Sequence, residues 1–315
     1  MRIAAIDLGS TSFHVVVVDI DRGGEITRVL RRREVLHLGA IVVREGHLSG
    51  ETAKLAVRAA RLLRRAADET KPDIVVAAAT HALREATNGA HLLEQLEVAT
   101  RCPVRLLEPA EEARVVYEGI RATLPLGDEP ALVCDLGGGS LELAIGASGD
   151  VLWETSYPLG ASRLTASLVT TDPVSPDEAG AACEHVRATI APAVALLKRR
   201  YPFVPCVGTG GTLRAIARME LARRRSGCGS VNGLTLPTAR LNALTARLLK
   251  APRRKRLDMP GMPSRRVDVL PIGSLVLATL CEELDLAGIT VSEGGLREGL
   301  ILEAAAASRA AAVGQ

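Results

Sequence analysis

Apolar and polar positions follow the same plan in two distant parts of the chain. Near the start, residues 3–7 form an apolar run closed by Asp7, residues 8–12 a turn, and residues 13–18 a second apolar run. Residues 131–135 close on Asp135, three glycines turn the chain, and residues 141–145 leave with Glu142 near their start. Each pattern predicts a buried strand, a tight turn and a returning strand. Laid over one another, D-L-G-S-T-S-F-H-V and D-L-G-G-G-S-L-E-L share Asp, Leu, Gly and Ser in register. A repeat so widely spaced predicts two halves built alike around one cleft.

The remaining periodicity predicts an α/β chain. Residues 26–38 continue the first sheet, and residues 51–69 form a helix through Ala53, Ala56, Val57, Ala60 and Leu63. A strand over 73–79 leads into a helical turn over 80–86 carrying His81, Arg84 and Glu85. A short extended piece over 104–107 and a helix over 110–122, opened by Pro109, come next. Pro125, Gly127 and Pro130 mark residues 124–130 as a hinge. Beyond the glycine turn come a strand over 151–157, a helix over 160–168, and a long helix over 176–201 capped by Ser175. Residues 203–207 read as a strand, 213–222 and 237–249 as helices, and 250–263 as a mobile basic connector. Residues 270–284 read as a buried helix, 289–291 as a strand, and 296–307 as a final helix packing back on the first half. The expected domains are 1–124 with 300–315, and 125–299.

Chemistry gathers at the turns. Gly137, Gly138 and Gly139 cost backbone entropy, and offer N–H groups unobstructed by Cβ atoms to an anion. Ser140 closes that turn; its counterpart carries Ser10, Thr11 and Ser12, hydroxyl donors in place of bare glycine. Asp135 and Glu142 flank the glycines, so a phosphate there makes electrostatic sense with a divalent cation between. Gly208, Thr209, Gly210, Gly211 and Thr212 stand between a strand and a helix, a third phosphate-competent arrangement. Neither G-x-x-x-x-G-K-[ST] nor G-x-G-x-x-G occurs there, which disfavours a P-loop or a dinucleotide fold. On the 110–122 helix, Glu112 shares a face with Val115, Val116 and Gly119, whereas Glu111 lies nearer Arg114 and Glu118. A helix dipole accounts for Glu111 and leaves Glu112 pointing where the apolar stripe points.

Composition bounds this reading. The 315 residues fit about two domains, and with aromatics at 2% the cores rest on Ala, Val and Leu. A net charge of +3 is too mild for a DNA-binding protein. Basic clusters at 31–33, 64–65, 198–200, 223–225 and 253–256 read as solvated faces or as a track for a polyanion. Cysteines 102, 134, 183, 206, 228 and 281 lack C-x-x-C spacing, and Cys134 and Cys206 read as buried thiols. An apolar strand at Ile3 and runs too short to span a bilayer set the expectation of a cytoplasmic protein without membrane partners.

The motifs D-L-G-S-T at 7–11, A-T-H-A-L-R-E-A-T-N at 79–88, E-E-A-R at 111–114, D-L-G-G-G-S-L-E at 135–142, P-L-G-A-S-R-L at 158–164 and L-R-E-G-L at 296–300 occur in one order. In that order they resemble the exopolyphosphatase/guanosine pentaphosphate phosphohydrolase (Ppx/GppA) family. The resemblance implies an actin/sugar-kinase-like (ASKHA) fold, two similar α/β domains around an interdomain cleft, and Mg²⁺-dependent hydrolysis of a terminal phosphoanhydride. It implies Glu112 as the residue activating water, Asp135 and Glu142 as metal-associated acids with Asp7 as a further candidate, and Arg84 as a phosphate contact. The turns at Gly137 to Ser140 and Ser10 to Ser12 match its phosphate loops; Gly208 to Thr212 is a looser match. Thr11 stands where many members have Asn, and His81, read as structural, where many have Ser. The sequence lacks the helical C-terminal extension of longer members, so short polyphosphate chains are the expected substrate. Guanosine pentaphosphate is the rival substrate, a kinase or a silent phosphate-sensing module of the same fold the rival classes, and a homodimer is compatible with all of them.

Overall fold

The computed structural model describes residues 1–21, 23–224 and 229–313. Two positions singled out above, Cys228 and Arg225, lie outside the described residues. In order, the chain forms β1 (Arg2–Leu8), β2 (Ser12–Ile20), β3 (Ile26–Val35), α1 (Leu38–Glu45), α2 (Gly50–Asp68), β4 (Ile74–Ala79), α3 (His81–Glu85) and α4 (Gly89–Thr100). Next come β5 (Val104–Leu106), α5 (Pro109–Arg121), β6 (Ala131–Leu136), β7 (Leu141–Ala147), β8 (Asp150–Tyr157), α6 (Ala161–Leu168) and α7 (Pro176–Arg200). The chain closes with β9 (Cys206–Thr209), α8 (Gly211–Arg223), β10 (Thr235–Pro237), α9 (Thr238–Lys250), α10 (Arg253–Leu257), α11 (Leu270–Glu283), β11 (Gly288–Val291) and α12 (Leu296–Val313). Two compact units result, Met1–Gly119 with Leu296–Gln315, and Ile120–Gly295.

The first unit is built on the sheet β3-β2-β1-β4-β5, the second on β10-β11-β9-β6-β7-β8. Read from the hairpin outward, β3-β2-β1-β4-β5 and β8-β7-β6-β9-β11 are one topology used twice. The match reaches single residues. Asp7 pairs with His14 as Asp135 pairs with Glu142, and Leu8 pairs with Phe13 as Leu136 pairs with Leu141. Even the register shift recurs, between Val17 and Val18 in one copy and between Ile145 and Gly146 in the other.

In the first unit, alternation along the strands sorts side chains between two faces. Ala4, Ile6, Leu8, Phe13, Val15 and Val17 pack with residues of α2 and α4. Ile3, Ala5, Val16 and Val18 pack instead with Val115 of α5 and with Leu300, Ile301, Ala304 and Ala305 of α12. A Cβ on Gly299 would fall 1.9 Å from the Val115 carbonyl oxygen, so glycine lets α12 cross α5 at contact distance. Among the described residues of the second unit, one large apolar cluster brings α11 against α7 and α9. Ser175 forms a full capping box with Glu178 at the start of α7.

The structure differs from the sequence reading in four elements. Helices α1 and α4 and strand β10 stand where no element was expected. The 250–263 connector, read as mobile, contains α10, whose Arg256 is buried and meets Asp172 at 2.8 Å. Its charge density suggested solvent; one arginine instead supplies the anchor.

Candidate functional site

The candidate residues fall into two groups, one in each unit. In the first, Asp7 lies one residue before the end of β1, across from His14 and beside Ala78 of β4. The turn that follows is tied down by its own polar groups. The Ser10 hydroxyl accepts the Ala82 N–H at 3.2 Å, capping α3 in place of Thr80, which makes no side-chain cap bond. The Ser10 carbonyl accepts from Gly39 at 2.9 Å, and the Thr11 carbonyl accepts from Leu36 at 3.0 Å and His37 at 2.9 Å. The Ser12 hydroxyl lies 2.7 Å from His14 Nε2.

Helix α3 is five residues long and delivers Arg84. Arg84 Nη1 donates to the Leu107 carbonyl and, at 3.0 Å, to Glu112 Oε2. Both side chains are nearly out of solvent, at 13% and 11% exposure. The other guanidinium nitrogens of Arg84 make no hydrogen bond among the described residues. The helical-face asymmetry holds: Glu112 is buried, while Glu111 pairs with Arg105 at the surface. Part of the 79–88 motif is architectural. His81 Nε2 sits 3.3 Å from Glu85 one helical turn on, and Asn88 brackets Leu48 with bonds of 3.0 and 2.7 Å to its N–H and carbonyl.

In the second unit the glycine turn points its carbonyls one way. Gly137 O accepts from Ala161, Gly138 O from Ser162 and Arg163, and Gly139 O from Gly160, at 3.0–3.2 Å. These bonds satisfy the first turn of α6, whose N-cap Gly160 has no side chain to do so. A Cβ on Gly160 would lie 2.3–2.4 Å from Gly138 and Gly139 backbone atoms, which accounts for the glycine in P-L-G-A-S-R-L. The N–H groups of Gly138, Gly139 and Ser140 have no partner among the described residues. Asp135 and Glu142 face each other across the hairpin, and Ser156 Oγ donates to Glu142 Oε1 at 2.9 Å.

The third loop divides. Gly208, Thr209, Gly210 and Thr212 are buried, and Gly211 is half-buried; Thr209 Oγ1 donates to the Gly294 carbonyl at 2.6 Å and thereby shapes the loop. Gly210, at φ +97°, is the N-cap of α8, and Gly211 is the first helical residue, at the positive end of the helix dipole. A Cβ on Gly210 would fall 2.7 Å from Asp135 Oδ1, and one on Gly211 1.7 Å from Arg266 Nη2. The loop therefore packs a carboxylate and a guanidinium directly against bare backbone.

Sequence reasoning missed Arg214. Counted from the helix N-caps, Thr80-His81-Ala82-Leu83-Arg84 lies over Gly210-Gly211-Thr212-Leu213-Arg214. Arg214 Nη1 donates to the Glu293 carbonyl at 3.3 Å and to Thr209 Oγ1 at 3.2 Å, as Arg84 donates to the carbonyl just beyond β5. The signal was the L-R pair at equal spacing after each strand.

Two sheets of one topology, each with an Asp-ended hairpin and a strand-to-helix turn beside it, define the actin/sugar-kinase class of fold. Within that class the chain belongs to the Ppx/GppA phosphatase family, whose model matches residues 16–307. It is similar to an exopolyphosphatase from Cytophaga hutchinsonii, at 24% identity and TM-score 0.87, over 96% of this chain and 97% of that one. It is also similar to the Aquifex aeolicus member of the Ppx/GppA family, at 26% identity and TM-score 0.81, over 98% of each chain. Among the described residues no helix is long and apolar enough to cross a membrane.

Proposed function

We propose that this phosphatase-family protein is an exopolyphosphatase, releasing orthophosphate from the end of inorganic polyphosphate. The observation that carries the reading is Glu112, a buried carboxylate held by Arg84 on the first turn of α5. A buried acid locked in this way fits a proton acceptor for an attacking water better than it fits a surface charge. Arg84 would engage the terminal phosphate with the nitrogens it leaves unbonded to protein. The free N–H groups of Gly138, Gly139 and Ser140, the Ser10–Ser12 turn, and the α8 N-terminus at Gly210 and Gly211 would hold phosphate oxygens.

Magnesium fits the donor set. Among the described residues no three His, Cys, Asp or Glu side chains gather to cage a metal. Asp135 and Glu142, opposed in register, supply two carboxylates, and Asp7 is a further one on the other hairpin. Two carboxylates completed by substrate phosphate and water are how Mg²⁺ is usually held. Bound there, it would offset charge on the phosphates. The protein's own part is positioning: the loops hold the phosphates while Glu112 takes the proton of water attacking in line. The leaving group is the shortened polyphosphate.

The test is phosphate release with Mg²⁺ from short and long polyphosphate and from guanosine pentaphosphate, side by side. Turnover of polyphosphate above the nucleotide supports the reading, and turnover of guanosine pentaphosphate alone replaces it with the nucleotide phosphohydrolase. Phosphate binding without turnover on any substrate would assign a sensing module instead.

A further inference from the structure

Strand β3 is the exposed edge of the first sheet and is unusually basic, reading I-T-R-V-L-R-R-R-E-V. Its register places the arginines. Arg33 lies opposite His14, which lies opposite Asp7, so the three residues form one row across β3, β2 and β1. With strands about 4.8 Å apart, Arg33 starts roughly 10 Å from Asp7. Arg31 lies opposite Val16, and Arg28 opposite Val18. The register shift between Val17 and Val18 keeps Arg28 in that file; regular pairing would have put Val29 there. All three arginines are exposed.

This is also the face on which α5, bearing Glu112, packs through Val115. The β1 and β4 part of the face is covered by α12, whereas β3 is open along most of its length. The duplicated unit supplies an internal control. At the positions matching Arg33, Arg31 and Arg28, β8 carries Ser156, Glu154 and Val151. β8 is likewise a sheet edge with the same register shift, so neither the topology nor edge protection calls for three cations.

We propose that Arg33, Arg31 and Arg28 form a track for the unreacted part of a polyphosphate chain whose end is held beside Asp7 and Ser10 to Ser12. The inference rests on the polyphosphate reading and extends it to chain length. Chains long enough to reach β3 gain attraction that the shortest ones do not, and the gain fades as salt screens exposed charges.

The experiment compares the full chain with Arg31→Gln/Arg33→Gln and with Arg31→Lys/Arg33→Lys. It measures kcat/KM on tripolyphosphate and on long-chain polyphosphate, and binding of labelled long polyphosphate to each protein. The expected result is a loss of roughly tenfold or more in the Gln variant, confined to the long substrate, abolished in high salt, and largely restored by Lys. Equal rates and equal binding in all three proteins would overturn the track, as would losses of the same size on both substrates. If the unaltered chain binds long polyphosphate through these arginines and hydrolyses none, the track stands and the hydrolase assignment fails.

Discussion

Arg84 and Glu112 meet at 3.0 Å with both side chains almost sealed from solvent, although 28 positions separate them in the chain. The contact joins the turn after β4 to the first turn of α5. Its chemistry and its stability are therefore open to separate measurement.

Glu112→Gln keeps the shape and removes the proton acceptor. We expect kcat for phosphate release to fall by about 10²–10⁴-fold with substrate binding nearly intact. Steady-state kinetics paired with equilibrium binding to the inactive variant decide it, and an unchanged kcat would take Glu112 out of the mechanism.

Arg84→Ala removes the 3.0 Å ion pair from a buried carboxylate. Breaking such a pair from one side costs about 3 kcal/mol, so urea denaturation should show a lower midpoint at unchanged slope. Glu112→Gln in the same background should recover part of the loss, since the buried side chain then carries no charge. A double variant no more stable than Arg84→Ala would contradict the account.

Ser10→Ala removes the hydroxyl that caps α3 from a neighbouring turn. A stability loss of about 1 kcal/mol is expected, with lower activity because Arg84 rides on that helix. Thr80→Ala, at the formal N-cap, should cost less because Thr80 makes no such bond. Equal losses would show the cap to be misassigned.

Gly160→Ala drives a methyl group into the backbone of Gly138 and Gly139, whereas Gly180→Ala on α7 meets nothing within 4 Å. The first should yield a poorly folded or inactive protein. The second should gain about 0.5–1 kcal/mol from helix propensity alone. Thermal melts of the two variants in parallel provide the comparison.

Glu220 is buried among Arg223, Arg224 and Arg240, and its hydrogen bond to Arg223, joined by those to Arg224 and Arg240, lowers its pKa to about 2. A carboxyl depressed in the folded state stabilises above its ordinary value near 4.5, and that contribution drains away as pH falls toward 2. Acid unfolding between those limits should therefore be shallower in Glu220→Gln than in the parent protein. Identical acid profiles would refute the linkage.

Much of this was legible in the chain because backbone geometry leaves a residue signature. The D-L-G turns announced both hairpins, Ser175 its helix, and the i+3, i+4 spacing the inward face of Glu112. Other features left none. Nothing local marks Ser10 as the cap of a helix 72 residues away, or Arg256 as a buried anchor whose carboxylate stands at Asp172. Helix α4 carries a weakly amphipathic pattern, and α10 is too short for one. The L-R pairs at 83–84 and 213–214 were written plainly, and became meaningful only when the strands before them proved equivalent.

The recurring register shift has a consequence of its own. A scaffold copied down to its irregularities places corresponding side chains at corresponding points, so each copy can change its chemistry without rebuilding its shape. At one such point the first copy carries histidine and the second glutamate; beside them, arginine answers serine. The molecule thus holds two separately editable versions of one design.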